Sequence, residues 1–142
     1  MRLQSAIFCV ESALLGKEDA SKVLTILKME GVWLYAVTAL GRSEAESELR
    51  GAGLFDDFRG MLTTREAMCP LEQSRIYEKS MRRLCSQPRD TVVFAGRLAE
   101  LRGAKEAGLR VVAVRGAAEA EEWEAMRAEA EETIDRYADF LA

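Results

Sequence analysis

The chain has 142 residues, of which 49% are hydrophobic and 31% charged, as is usual for one soluble globular domain. A net charge of −4 without a basic stripe argues against nucleic acid as a partner, and no apolar run is long enough for a membrane span or a signal peptide, which favours a cytoplasmic protein. Because histidine is absent, imidazole metal sites and Ser-His or Cys-His nucleophile pairs are excluded.

Short apolar runs alternate with amphipathic segments along the first 114 residues. The runs are too short for helices and resemble buried parallel strands in composition. They cover residues 3–9, 32–38, 60–62, 91–95 and 111–114. Predicted helices lie between them: one ends at Gly31, one starts at Ser43, and two cover residues 71–84 and 98–107. This alternation predicts an α/β fold with three layers, in which a parallel sheet of about five strands has helices on both faces.

Residues 119–141 are predicted to form one long C-terminal amphipathic helix. Its larger apolar side chains recur at steps of three and four, so they lie along one seam. The seam contains Trp123, Met126, Ile134 and Tyr137. It either packs on the chain's own domain or forms the interface of a homodimer or of a complex with another protein.

The residues that follow the predicted strands are the candidates for a functional site. Ligands of open α/β sheets bind at the carboxyl ends of the strands, near the point where the strand order reverses. Cys9 ends the first strand and Glu11 follows it, Thr38 ends the second, and Gly96 and Arg97 follow the fourth.

Two stretches carry a resemblance to a known family. Residues 6–15, AIFCVESALL, resemble the first motif of the haloacid dehalogenase-like (HAD) superfamily, a hydrophobic strand followed by D-x-D-G-[TV]-L. Cys9 then stands at the nucleophilic aspartate, Glu11 at the acid/base aspartate and Ser12 at the glycine. Residues 93–108 resemble the fourth motif with its A-K-x-A-G helix, with Gly96 at the magnesium aspartate and Arg97 at its serine neighbour.

The resemblance extends to about residue 114 and implies a Rossmann-like HAD core of the β-phosphoglucomutase and phosphatase type, in a single domain covering residues 1–142. Only 28 residues separate Cys9 from Thr38, and the next connection is also short, so no cap domain is expected at either usual insertion point. The lid that would cover a small substrate is therefore expected to be absent from the chain.

The remaining motifs are only partly matched. Thr38 matches the hydroxyl residue that contacts the phosphoryl group in the second motif, whereas the third-motif lysine is replaced by Cys69-Pro70 or Leu71, depending on the alignment. Nucleophile, magnesium and lysine act as one unit in the family, and losses within such a unit are severe. Magnesium would be the family cofactor, but with these three groups missing we expect no cofactor.

Several roles remain open for the altered positions. Cys9 is either a small buried residue or a substitute nucleophile, although the arginine six positions on that cysteine phosphatases need is Leu15 here. The former metal-site positions are Cys9, Glu11, Gly96 and Glu100. We expect Arg97 to replace the charge of the metal by pairing with Glu11 or Glu100; alternatively, Arg97 and Thr38 bind an anion such as phosphate.

The sequence therefore predicts a catalytically inactive HAD-like domain that acts through binding or self-association. One alternative is an HAD-like phosphohydrolase of altered or residual activity on a phosphorylated metabolite, with Glu11 as acid/base and Thr38 orienting the phosphate. The other is a phosphate or anion sensor that uses Thr38 and Arg97.

Overall fold

The computed structural model describes residues 3–141, which form one sheet of six parallel strands in the order β3-β2-β1-β4-β5-β6. The strands are β1 Ser5–Cys9, β2 Trp33–Thr38, β3 Gly60–Thr63, β4 Thr91–Ala95, β5 Arg110–Val114 and β6 Glu132–Ile134. The five predicted strands are confirmed, and β6 is a sixth.

Helices cover both faces of the sheet. They are α1 Ala20–Met29, α2 Arg42–Gly51, α3 Thr64–Ala67, α4 Ser74–Leu84, α5 Leu98–Glu106, α6 Ala120–Glu129 and α7 Tyr137–Leu141. On one face α4 contacts α5 and α5 contacts α6, while α1 contacts α7 on the other. The two faces arise because right-handed crossovers run outward from β1 in one direction and from β4 in the other. None of the helices within residues 3–141 is both long and apolar enough to cross a membrane.

Strands β1 and β4 form the centre of the core. All five residues of each strand are buried, as expected for a parallel sheet covered on both faces. Phe8 and Phe94 lie opposite each other in the ladder, and their rings stack with centroids 4.4 Å apart. The ring of Phe94 also contacts Phe140, at a centroid distance of 5.8 Å. Aromatic packing thus ties the two strands to the C-terminal residues.

The strand order reverses between β1 and β4. From β1 the chain moves outward to β2 and β3, then crosses back over β1 to reach β4. The carboxyl ends of β1, β2 and β4, at Cys9, Thr38 and Ala95, therefore lie together at one edge of the sheet. This edge is where an open α/β fold binds its ligands.

The C-terminal region differs from the prediction of one helix over residues 119–141. Helix α6 ends at Glu129 because Ala130 is extended, with φ −80° and ψ 150°. The β-branched Thr133 and Ile134 then join β6, which pairs with the otherwise open edge of β5. Backbone groups of β5 that a helix would leave unpaired gain partners in this way.

The predicted interface seam lies inside the chain. Four residues that were expected to line one helix come from three elements and are all buried: Trp123 (3% exposed), Met126 (0%), Ile134 (8%) and Tyr137 (1%). The Tyr137 hydroxyl donates a hydrogen bond of 2.6 Å to the Ala13 carbonyl, which connects α7 to the turn after β1. Of the two alternatives for this seam, packing on the chain's own domain is confirmed, and the alternative of an interface with a second copy or another protein is wrong for these four side chains.

Candidate functional site

A tight π-helical turn, Val10–Leu14, follows β1 and positions the first candidate residues. The Leu15 N–H closes the turn with a hydrogen bond of 3.0 Å to the Val10 carbonyl. Within it, Glu11 reaches the end of β2 and Ser12 reaches the end of β4. One turn thus contacts the two strands that flank β1.

Cys9 is buried and surrounded by groups that disfavour its thiolate. Its exposed fraction is 1%. Burial raises the pKa of the thiol well above its usual value, and the negative charge of Glu100 raises it further, while the Tyr77 side chain opposes these effects in part. Since the thiolate is the nucleophilic form, the structure favours the interpretation of Cys9 as a buried, unreactive side chain.

Glu11 binds the end of β2 with both carboxylate oxygens. It accepts a hydrogen bond of 2.5 Å from the Thr38 hydroxyl and one of 2.9 Å from the Ala39 N–H. The Thr38 hydroxyl also accepts a hydrogen bond of 3.0 Å from the Leu40 N–H. Its single proton is therefore already donated, and the fully buried Thr38 has none left for a phosphoryl oxygen.

Glu100 is a buried carboxylate that holds the turn against β4. Its Oε1 accepts hydrogen bonds from the Ser12 hydroxyl at 2.6 Å, the Gly96 N–H at 3.1 Å and the Arg97 N–H at 3.2 Å. Burial raises the pKa of Glu100, and these hydrogen bonds partly offset that effect. The Ser12 hydroxyl also accepts a hydrogen bond of 3.2 Å from the Gly96 N–H, so Ser12 both donates and accepts in its contact with the end of β4 and the start of α5.

Gly96 lies so close to the turn that no side chain fits there. A Cβ built at this position would be 2.6 Å from the Ser12 carbonyl carbon, 2.8 Å from the Ser12 Cβ, and closer still to the Ser12 carbonyl oxygen. A residue other than glycine would require the backbone to move. The volume in which a side chain from the end of β4 would project is therefore filled by the turn.

Arg97 pairs with neither Glu11 nor Glu100, and that prediction is wrong. Its Nε lies 2.9 Å from Oε2 of Glu122, on α6, which also accepts a hydrogen bond of 2.8 Å from the Leu98 N–H. This bond to Glu122 raises the pKa of Arg97 and lowers that of Glu122. Only the backbone N–H of Arg97 contacts Glu100. The Arg97 side chain is 53% exposed and binds the Glu122 carboxylate, which lies beside the first residue of α5.

Similarity in three dimensions identifies the architecture. The chain superposes on CbbY from Rhodobacter sphaeroides, solved in complex with phosphate, with a TM-score of 0.78 and 23% identity. It superposes equally well, at 16% identity, on a Thermotoga maritima protein described as a beta-phosphoglucomutase, covering 93% of this chain and 94% of that one. SP0104 from Streptococcus pneumoniae, a hydrolase of the haloacid dehalogenase-like family, matches with a TM-score of 0.74 and 11% identity over 98% and 97% of the two chains.

The chain has the HAD-like fold. The predicted resemblance is thus confirmed for the fold, which is Rossmann-like with a parallel sheet. The match to CbbY covers 87% of this chain and 55% of the CbbY chain. The sequence matches no family model, and none of the curated proteins is significantly similar to it.

The residues present do not fit the magnesium of HAD phosphatases. Mg²⁺ prefers oxygen ligands, but Cys9 offers a protonated thiol and Gly96 offers no side chain. Glu11 and Glu100 remain; both oxygens of Glu11 and Oε1 of Glu100 already accept hydrogen bonds from Thr38, Ser12 and backbone N–H groups. No group of three or more carboxylate or cysteine side chains suited to a metal occurs within residues 3–141.

The third-motif segment of the HAD-like fold serves packing here. Leu71 accepts a hydrogen bond of 2.6 Å from the Tyr77 hydroxyl through its carbonyl, and that carbonyl lies against Gly103 of α5. Tyr77 is fully buried, and Cys69 is also buried. The segment thus stabilises the contact between α4 and α5, and neither alignment places a lysine in it.

A surface cavity of about 360 Å³ adjoins these residues. Its lining residues come from five segments: Ala39, Thr64, Pro70, Leu71, Glu72, Arg97, Ala99, Glu100 and Glu122. The lining contains three glutamates and one arginine, and that arginine is already paired with Glu122. Thr38 does not line the cavity. The Thr38 hydroxyl and the Arg97 guanidinium are thus bound to two different glutamates, Glu11 and Glu122, and the charges around the cavity disfavour phosphate.

Replacing Glu100 with glutamine tests whether the buried charge is a net burden on the fold. A glutamine oxygen can accept the same three hydrogen bonds without a buried charge. Because burial raises the folded-state pKa of Glu100, the contribution of this carboxyl to stability is fully present below the usual value of 4.5 and is lost as pH rises through the folded pKa. We expect Glu100→Gln to be at least as stable as wild type at pH 7 in urea unfolding, with the difference shrinking toward pH 4. A variant less stable at pH 7 by more than about 1 kcal/mol would contradict this.

Two residues of the site carried no predicted role beyond their place in the sequence. Ser12 links Gly96 to Glu100, and Glu122 binds Arg97. The signal for Ser12 was available: a hydroxyl at the glycine position of the first motif and a glycine at the aspartate position of the fourth indicate paired changes. No local signal indicates Glu122, because it lies 25 residues from Arg97.

Proposed function

We propose that this chain is a catalytically inactive HAD-like domain that acts by binding another macromolecule or a copy of itself. The observation that carries the proposal is the contact of the Ser12 backbone with Gly96, which fills the volume where a metal-binding carboxylate would project. Without this carboxylate and with a protonated Cys9 at the nucleophile position, neither a metal nor an attacking group is available for phosphoryl transfer.

The same hydrogen bonds that close the site also stabilise the fold. Glu11 and Thr38 join β1 to β2, while Ser12 and Glu100 join the turn to β4 and α5. These positions are catalytic in the resemblance, and here they connect neighbouring elements of the sheet. This supports the proposal that side chains at the catalytic positions of the family stabilise the fold here through internal hydrogen bonds.

A residual phosphohydrolase is the second candidate. One observation favours it: Glu11, at the acid/base position, remains only half-buried at the carboxyl edge of the sheet. A general acid or base must reach the proton it transfers, and a carboxylate at this edge has that access.

Turnover of p-nitrophenyl phosphate with Mg²⁺, Mn²⁺, Co²⁺ or Zn²⁺ separates the two candidates. We expect wild type to hydrolyse it no faster than a Glu11→Gln variant purified in the same way, because the nucleophile and metal ligand are both missing. The shared preparation controls for contaminating phosphatases. Metal-dependent hydrolysis by wild type that disappears in Glu11→Gln would overturn the proposal in favour of an enzyme.

A thermal unfolding series with inorganic phosphate tests the anion sensor. A ligand that binds only the folded state raises the melting temperature. The acidic cavity lining and the committed Thr38 hydroxyl lead us to expect no concentration-dependent rise. A saturable rise that is lost in Arg97→Gln would instead support an anion-binding role.

A further inference from the structure

The charges of the chain are unevenly distributed. Residues 59–89 contain seven basic and three acidic side chains, a net charge of +4, which leaves −8 on the rest of the chain. The basic excess is concentrated on α4, and the acidic excess includes α6. The net charge of −4 therefore conceals a molecule with two regions of opposite sign.

Helix α4 presents four basic side chains on its outer surface. Arg75, Lys79, Arg82 and Arg83 are spaced four, three and one residues apart, and the opposite face of the helix is buried. The three arginines are exposed and Lys79 is half-buried. We call these four residues the basic face. Like charges at such spacings repel one another along a helix, so the arrangement disfavours the isolated helix.

The basic face has no carboxylate partner within residues 3–141. None of its four side chains takes part in an ion pair. Lys79 donates a hydrogen bond of 3.4 Å to the Ala67 carbonyl, and Arg83 one of 3.3 Å to the Tyr35 hydroxyl; neither acceptor carries a full charge. Even with the exposed Glu78 on the same helix, the basic face thus carries an excess of positive charge that no ion pair within residues 3–141 offsets.

The adjacent helix α5 shows the opposite arrangement. Each of the three cationic side chains on or just before α5 has a nitrogen 2.9 Å from a glutamate oxygen. The pairs are Arg97 with Glu122, Arg102 with Glu129, and Lys105 with Glu131. The chain therefore supplies carboxylates for the cations that lie between α5 and the C-terminal residues. Helix α4 lies beside α5 on the same face of the sheet, but its cationic side chains form no such ion pairs with the described residues. The surface of α4 therefore differs in charge from that of α5.

The start of α6 offers a surface of the complementary charge. A cavity of about 560 Å³ is lined there by Glu119, Glu121 and Glu122, together with Arg97, Leu98, Ala117 and Ala125. Glu119 and Glu121 are exposed and take part in no ion pair within the described residues. The cavity has room for a long side chain. We call Glu119 and Glu121 the acidic mouth.

We propose that the basic face of one copy docks on the acidic mouth of a second copy of this chain. The occupant is assigned from charge complementarity, since one molecule carries one surface with an excess of positive charge and another with an excess of negative charge. The two patches are different surfaces, so the contact is heterologous and runs head to tail. Attraction between exposed charges is screened by salt, which makes the association strongest at low ionic strength.

Sedimentation velocity over a range of protein concentrations tests the docking. We expect the mean mass to rise with concentration at about 20 mM NaCl and to return to that of the monomer at about 500 mM, where the screening length is short. The double variant Arg75→Glu/Arg82→Glu should remain monomeric at both salt concentrations. Wild type that stays monomeric at low salt would overturn the proposal.

A matched control and a charge exchange make the test specific. Lys22→Glu/Arg50→Glu changes the net charge equally but lies on α1 and α2, so it should associate as wild type does. Glu119→Lys/Glu121→Lys should be monomeric alone, yet form complexes with Arg75→Glu/Arg82→Glu. Loss of association in the control, or no complex in the mixture, would contradict the docking.

Two further outcomes identify a different cause. If wild type stays monomeric but binds poly-glutamate through the basic face, the occupant is a foreign acidic segment and the second copy is excluded. The docking does not depend on the chemistry at the carboxyl edge of the sheet. Its failure would therefore leave the phosphatase result unchanged, and the reverse also holds.

Discussion

Replacing Gly96 with alanine or aspartate is expected to destabilise the protein by about 3 kcal/mol or more, measured by urea unfolding. The introduced Cβ would lie 2.6 Å from the Ser12 carbonyl carbon and closer still to its oxygen, and a backbone atom cannot rotate away as the end of a flexible side chain can. The shift would also disrupt the hydrogen bonds from Gly96 to Ser12 and Glu100. Restoring the aspartate of the HAD motif should thus damage the fold without producing a magnesium site.

Gly41→Ala provides the matched control for this substitution. Gly41 has a φ of −64°, which any residue adopts, and a Cβ there would have no neighbour within 4 Å. Its stability should change by less than about 1 kcal/mol. A Gly96→Ala variant as stable as Gly41→Ala would show that the turn moves easily and that it does not exclude a side chain at position 96.

Replacing Cys9 with aspartate is expected to destabilise the protein by about 3 to 5 kcal/mol at pH 7, because it places an unpaired charge in the core beside Glu100. Cys9→Asn has nearly the same shape without the charge. Comparing the two variants in urea therefore isolates the charge from the change in packing.

The pH dependence of this comparison has a definite sign. Burial raises the folded-state pKa of the introduced carboxyl above about 3.9, its value in the unfolded chain. The penalty is absent below that unfolded value and grows as pH rises through the folded pKa, so the two variants should converge in stability near pH 4. Equal stability at pH 7, or metal-dependent phosphatase activity in Cys9→Asp, would show that the site still has room for charge.

The strands of the sheet were predictable because buried strands have a distinctive local composition of apolar residues. Runs such as residues 91–95, TVVFA, contain β-branched and aromatic residues with no polar face, and they match β4 to the residue. Strand β6 was missed because Glu132 and Thr133 are exposed and only Ile134 is buried. A three-residue edge strand has too few residues to show a period of two.

The C-terminal seam shows how helical spacing can mislead. Trp123 and Met126 do lie on one helix, α6, but Ile134 belongs to β6 and Tyr137 to α7. All four are buried because all three elements pack on the same core. The spacing of apolar residues predicts which side chains are buried. It cannot distinguish one long helix from separate elements that cover the same surface.

The sequence could predict which residues lie at the site, but it could not predict which of them bind one another. The ends of parallel strands must meet at one edge, so Cys9, Glu11, Thr38 and Gly96 could be grouped from the sequence. The partner of Arg97 could not be found, because Glu122 is distant in the sequence and the choice between three carboxylates depends on distances of a few ångströms. Likewise, the contact of Ser12 with Gly96 depends on the path of the turn.

The central position of β1 has a consequence for how the chain folds during synthesis. Its two sheet neighbours are β2, which follows within a few tens of residues, and β4, which is made roughly 80 residues later, a delay of ~4 to 16 s at ~5 to 20 residues per second. Until then one edge of a strand that is fully buried in the folded protein has neither its ladder partner nor, at Phe8, its stacking partner. The nascent chain is therefore most vulnerable to aggregation in this interval, and molecular chaperones should act on it most strongly before β4 emerges.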